Sequence, residues 1–393
     1  MTTRYPSSCL QAVSCLKRTQ QHAPPPAIHI TYTAAALFSP PQTRHYSFSK
    51  TSARNNTSNR PPAPKSNLKP RSPAPSTTQS LAAALNPPPT TLPPPLDLPT
   101  RGSEAYPIHL YRIGRAYGTF YKNGLKAVWH NHKSASSLKK RIVSDLNARK
   151  PNLASPLSAS KRWSVFRDEA VLRGVVKRSE FQLLERNARD IGKLPVFGVL
   201  VLLFGEWLPL LVPFIPNRVP GTCRIPKQVM GMREKSEGRR RVSFRAGVEE
   251  PKEIVGKVEG EVEGGGKWRI TQRASVQEIL KNLGPQQLMH LSSVLNQHSG
   301  IWEKVQLSPP AGLIRRAVAA RMQYIALDDF LLVEAGGPGG LSSDEVMIAC
   351  EERGIDVLGK SEEKLRGELL GWVKRQEKDD GRGRAMMEML FRR

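Results

Sequence analysis

Apolar side chains recur at helical intervals through the second half of this chain. Val276, Ile279, Leu280 and Leu283 make one stripe, stopped by Gly284-Pro285, and Leu288, Leu291, Val294 and Leu295 make the next. Ile314, Val318, Met322 and Ile325 give a third. Earlier, Phe181, Leu184, Ala188 and Ile191 fall at steps of three, four and three, one face of a helix. No stretch alternates apolar and polar as a half-buried strand would, and no heptad or internal repeat is sustained. The pattern predicts an all-α fold.

The C-terminal third carries local helix signals as well. Ser342-Ser343-Asp344-Glu345 reads as a capping box, in which the Ser342 hydroxyl accepts from the Glu345 amide and the Glu345 carboxylate reaches back. Val346, Ala349 and Cys350 then face inward, and Gly354 follows Arg353 where a left-handed cap is wanted. Ser361 is placed to cap a second helix, with Leu365, Leu369 and Trp372 along its inner face. Trp372 is read as the anchor between the two helices.

One apolar run breaks the amphipathic pattern. In Leu194–Ile215, 15 of 22 residues are Leu, Val, Ile or Phe, and only Glu206 is charged. At a rise of about 1.5 Å per residue the run matches a hydrocarbon core of about 30 Å. It is therefore expected to be a single transmembrane helix over residues 194–216, with Glu206 as a candidate functional acid inside the membrane. The basic residues on both flanks leave its orientation open.

Composition then divides the rest of the 393-residue chain. Of 33 prolines, 18 precede residue 97, and the same stretch holds ten Lys or Arg and no Asp or Glu. A cationic, acid-free leader of this kind reads as a mitochondrial transit peptide, residues 1–46, the other reading being a disordered basic tail. Residues 47–100 read as a disordered Pro-rich linker. A basic helical region is expected over 101–193, with 20 Lys or Arg against seven Asp or Glu from Leu98 to Lys193. A flexible connector (217–269), a helical domain (270–376) and a basic tail (377–393) follow. The net charge of +26 calls for an acidic partner, an anionic membrane surface or a negative-inside destination.

Candidate chemistry is sparse. Four scattered cysteines and eight dispersed histidines offer neither a disulfide framework nor a metal set, so no cofactor and no metal are expected. Gly336–Gly340 lacks the Lys-Ser/Thr of a phosphate loop, and no nucleophile–base grouping stands out. The chain is not expected to be an enzyme.

Three groups of residues resemble the leucine zipper and EF-hand containing transmembrane (LETM) family. Glu185, Arg186, Asp190, Lys193, Leu194 and Pro195 look like the helix that enters that family's span, with Glu206 at its intramembrane glutamate. Arg316, Arg321, Ile325, Asp328, Asp329, Glu334, Gly336 and Gly337 are similar to its basic helix and Glu-Gly turn. Leu341, Ser342, Glu345, Ala349, Cys350, Arg353, Gly354, Ile355, Gly359, Ser361, Leu365, Arg366 and Trp372 are similar to its closing motif. Phe204-Gly205 stand where the family has a proline before the glutamate, and there is no calcium loop or long coiled coil, so the resemblance is to a short form.

That resemblance implies a single-pass protein of the mitochondrial inner membrane with a 14-3-3-like helical domain in the matrix. It implies ribosome binding and a part in potassium or calcium exchange for protons. Its partners would be the mitochondrial ribosome, inner-membrane lipids and further copies of the chain. Arg315, Arg316, Arg321, Arg353 and Arg366 become candidate ribosome contacts, and Ser342, Glu345, Gly354, Gly359 and Trp372 its structural motif. The alternative is a SAP-like nucleic-acid-binding module at the C-terminal helix pair, anchored in the inner membrane. Six basic against eight acidic residues over Leu341–Gln376 suit phosphate poorly.

Overall fold

The computed structural model describes residues 77–102, 105–149, 159–204, 216–251, 276, 279–305, 307–379 and 383–392. Among them the regular structure is entirely helical, as the apolar spacing predicts. The transit peptide expected over 1–46 lies outside the described residues, as does Glu206.

A short helix α1 (Thr77–Leu85) precedes a 44-residue helix α2 (Tyr106–Arg149). Helices α3 (Ala159–Leu172), α4 (Arg178–Ile191) and α5 (Leu194–Phe204) follow. After a tight turn at Gly221–Cys223 comes α6 (Pro226–Arg245), which begins with proline at its first position, where the missing amide costs nothing. The remaining helices are α7 (Pro285–Val294), α8 (Ile301–Lys304), α9 (Ala311–Glu334), α10 (Ser343–Glu352), α11 (Glu362–Lys378) and α12 (Arg384–Phe391).

The main core gathers the apolar stripes around α9. Val318, Met322, Ile325 and Leu332 are fully buried there, against Leu291 of α7, Val346 and Cys350 of α10, and Leu369 and Trp372 of α11. Helix α2 packs on α3 and α4 through Ala135, Leu138 and Ile142. A smaller cluster joins Phe120 and Tyr121 of α2 to Phe197 of α5 and to Val219, Cys223 and Ile225. Gly124 lets α2 approach the Gly221–Cys223 turn, since a Cβ there would lie 2.8 Å from Cys223 Sγ and 2.8 Å from the Thr222 carbonyl oxygen.

Two segments are more ordered than their composition suggests. Residues 77–97, inside the expected Pro-rich linker, form α1 and a Pro89–Thr91 turn, and Leu85 is completely buried. Asn86 accepts from the Ser342 amide at 2.8 Å and donates to the Gly340 carbonyl at 2.9 Å. Within the expected connector, α6 buries polar side chains and is held by its arginines, with Phe244 packed against the core. Arg240, 4% exposed, donates to the carbonyls of Val294 and Glu351.

The transmembrane expectation needs correction. None of the described helices is long and apolar enough to cross a membrane. Helix α5 has 11 residues, about 16 Å at 1.5 Å each, roughly half of a hydrocarbon core. Residues 205–215 lie outside the described set.

Candidate functional site

A buried ionic network links α4, α9 and α10. Arg178 and Arg186 lie on one face of α4, and their guanidinium groups enter the core. Arg178 Nε is 2.9 Å from Asp328 Oδ1 and its Nη1 donates to the Leu85 carbonyl at 2.9 Å. Arg186 Nη1 stands 2.8 Å from Glu345 Oε1 and also donates to Thr91 Oγ1 at 3.2 Å. Arg353, 1% exposed, reaches Asp328 at 2.8 Å and Asp329 at 2.6 Å, and Trp372 Nε1 donates to Asp329 Oδ2 at 2.8 Å. Burial would raise the Asp328 carboxyl, but Arg178 and Arg353 hold it well below the usual carboxylate range. Burial likewise opposes ionisation of Glu352, and Arg321, Arg189 and Arg186 outweigh it, lowering that carboxyl to about 2.

The sequence-selected residues are therefore mostly engaged within the molecule. Arg315 donates to the Leu280 carbonyl at 3.0 Å, while Arg316 is exposed. Arg321 lies 3.5 Å from Glu352 and 5.0 Å from the Tyr324 ring centroid. Arg366 pairs with Glu362 and donates to the Leu341 carbonyl at 2.7 Å. Ser342 caps α10 by accepting from the Glu345 amide, but the Glu345 side chain turns inward to Arg178 and Arg186 instead of reaching back. Asn86 serves the Ser342 amide in its place. Gly354 has φ +79°, and a Cβ there would meet Val294 Cγ1 at 2.9 Å; Gly359 is also left-handed, at φ +68°. Of the proposed ribosome contacts, Arg353 is inaccessible, and Arg321 and Arg366 are committed to internal partners.

A hydrogen-bonded chain with hydrolase-like membership lies beside an open groove of about 1400 Å³ between α6 and α7. Ser292 Oγ is 2.7 Å from His298 Nδ1, and His298 Nε2 is 3.0 Å from Glu303 Oε1. Ser292 is 0% exposed, so its oxygen has no path to a substrate. The chain fastens the end of α7 to α8. Among the described residues no His/Cys/Asp/Glu group could hold a metal ion.

Two surfaces point outward. Helix α5 contains no polar side chain and leaves Val199, Leu202 and Leu203 at 54, 86 and 71% exposure, with Phe197 turned into the smaller cluster. At its root, Lys193 is half-buried beside Arg224, Asp190 and Arg189. Burial first, then repulsion from Arg224, lower the Lys193 ammonium to about 8. Burial also lowers Arg224. The second surface is α2. Arg115, Lys122, Lys126, Lys133 and Lys140, at steps of seven, four, seven and seven, share an exposed face with Tyr111 and Trp129.

Sequence reasoning overlooked Arg178 and Gln182 because their partners are 150 and 146 residues away. The available signal was Arg178, Gln182, Arg186 and Arg189, a polar row at steps of four, four and three on a helix that also carries an apolar face.

No curated protein and no solved structure matches the chain. Residues 105–335 match the family described as PNT1: Pentamidine resistance factor domain. This is a different family from LETM and overturns that resemblance. The inferences drawn from it, ribosome binding, cation/proton balance and the 14-3-3-like likeness, fall with it. The PNT1 family is associated with mitochondria. Because the match spans more than half of the 393 residues, the chain belongs to the pentamidine resistance factor domain family.

Proposed function

We propose that the protein is a non-catalytic mitochondrial component that attaches to a phospholipid surface by α5, its helical body remaining outside the bilayer. The observation that carries this reading is the exposure of Val199, Leu202 and Leu203 on a helix without a polar side chain. Withdrawing a large aliphatic side chain from water contributes about 1.5–3 kcal/mol when burial is complete. Several such side chains on one short helix suffice for reversible interfacial binding, for which crossing is unnecessary. The sequence beyond Phe204 stays apolar to Ile215 apart from Glu206.

Vesicle flotation with the purified full chain tests the reading. Wild type should rise with phosphatidylcholine vesicles, and a Leu202→Asp/Leu203→Asp variant should stay at the bottom of the gradient with an unchanged helical circular dichroism spectrum. Equal flotation of the two would remove α5 from the account.

A further inference from the structure

The open groove between α6 and α7 is walled by two helix faces. Met232, Lys235, Arg239 and Val242 line it along α6 at steps of three, four and three, with Ala246 just past the helix end. Gln286, Met289 and Ser293 line it along α7 at steps of three and four. Leu288 and Ile314 are buried beneath it, whereas Val242 and, on α8, Ile301 stay 66 and 67% exposed. Its charge is one-sided. Glu303 is the one carboxylate among the described lining residues, and it is taken up by His298 at 3.0 Å and Arg239 at 3.8 Å. Lys235 and Lys304, both exposed, pair with no carboxylate among the described residues.

We infer that this groove receives an acidic amphipathic helix of a second protein, its apolar side chains lying between α6 and α7 and its carboxylates meeting Lys235 and Lys304. The volume of about 1400 Å³ exceeds the roughly 300–1,000 Å³ of small-molecule sites. From Met232 to Ala246 the wall runs about 21 Å at 1.5 Å per residue, which accommodates about four helical turns. An amphipathic helix presents apolar anchors at the same three- and four-residue spacing as the walls that would hold it. Two unpaired ammonium groups beside an already occupied carboxylate select an acidic polar side over a basic one. The Ser292–His298–Glu303 chain acquires a use here, because by fastening α8 to the end of α7 it holds Ile301 and Lys304 in place. The inference goes beyond membrane attachment by α5 and does not depend on it.

Fluorescence anisotropy with the purified full chain decides it, using labelled peptides of about four helical turns. The first carries leucines at three- and four-residue spacing with glutamates elsewhere, the second has lysine for every glutamate, and the third scrambles the first so that no apolar face forms. Wild type should bind the first about tenfold or more tightly than either of the others. Val242→Asp/Ile301→Asp and Lys235→Glu/Lys304→Glu should each weaken that binding about tenfold or more with an unaltered thermal midpoint, all four side chains being exposed. A Lys122→Glu/Lys126→Glu/Lys133→Glu variant should bind as wild type does, which separates the groove from the cationic face of α2. Equal binding of the ordered and scrambled acidic peptides overturns the inference, as does undiminished binding by either groove variant, loss of binding in the α2 variant, or a wild type that binds none of the three. Binding that appears only after residues 252–275 are replaced by Gly and Ser also overturns it and gives the groove to the chain's own segment. A dimer in sedimentation velocity that Val242→Asp/Ile301→Asp dissolves overturns it in favour of a second copy.

Discussion

Asp328 holds a central place among the side chains of the core. It meets Arg178 at 2.9 Å, Arg353 at 2.8 Å and the Gln182 amide at 2.8 Å, with 0% of its surface exposed. An ion pair this deep contributes little over an apolar replacement of both partners, yet removal of one partner leaves a charge stranded. Asp328→Asn, nearly isosteric, should therefore cost about 3–5 kcal/mol, read as a lower urea midpoint with unchanged slope. A shift too small to resolve would mean that solvent reaches Arg178 and Arg353. None of this was legible in the sequence, because a carboxylate 150 residues away carries no local signal. Trp372 was legible as an anchor, being the one aromatic on a four- and three-residue stripe; its hydrogen bond to Asp329 was not.

Helices whose stability comes from apolar stripes were visible at the level of elements, and helices held by polar side chains were not. Helix α7 and the first half of α9 were read from their leucine, isoleucine and valine spacing. Helix α6 escaped because it buries Gln228, Ser236, Glu237 and Arg240, and α1 because it is embedded in proline-rich surroundings. The opposite surface of α2 is a different problem. Its nine Lys or Arg face one acidic residue, Asp145, and the exposed row with Trp129 lies across the helix from buried Phe120, Ala135 and Leu138. Such a row attracts an anionic surface at long range and lets go as salt rises. A Lys122→Glu/Lys126→Glu/Lys133→Glu variant should slow association with phosphatidylglycerol-containing vesicles severalfold in stopped-flow measurements at low salt. Its thermal midpoint should match wild type. The same association rate for both proteins would make the row a solvated face and nothing more.

For the molecule as a whole, two buried acids, Glu352 and Asp328, set an acid limit. Glu352 titrates near 2 and Asp328 well below its ordinary range, whereas in the unfolded chain both titrate near about 4. Protons therefore bind the unfolded state more readily, and the stability these groups contribute is complete above about pH 4 and lost as pH falls toward 2. The net charge of +26 grows further in acid and adds self-repulsion. Denaturant midpoints should be flat with respect to these acids from pH 7 to 5 and drop steeply below pH 4; a flat profile down to pH 3 would remove them from the balance.

Helix α1 and the turn after it have a temporal consequence. Leu85 and Thr91 complete the hydrogen bonding of Arg178 and Arg186, and Asn86 meets partners 254 and 256 positions further on. A stretch near the start of the polypeptide thus finds its seat only after α10 has been made or threaded through a translocation pore. During synthesis or import, what emerges early must wait for what emerges late, and until then two arginines of α4 have neither their carbonyl nor their hydroxyl partner.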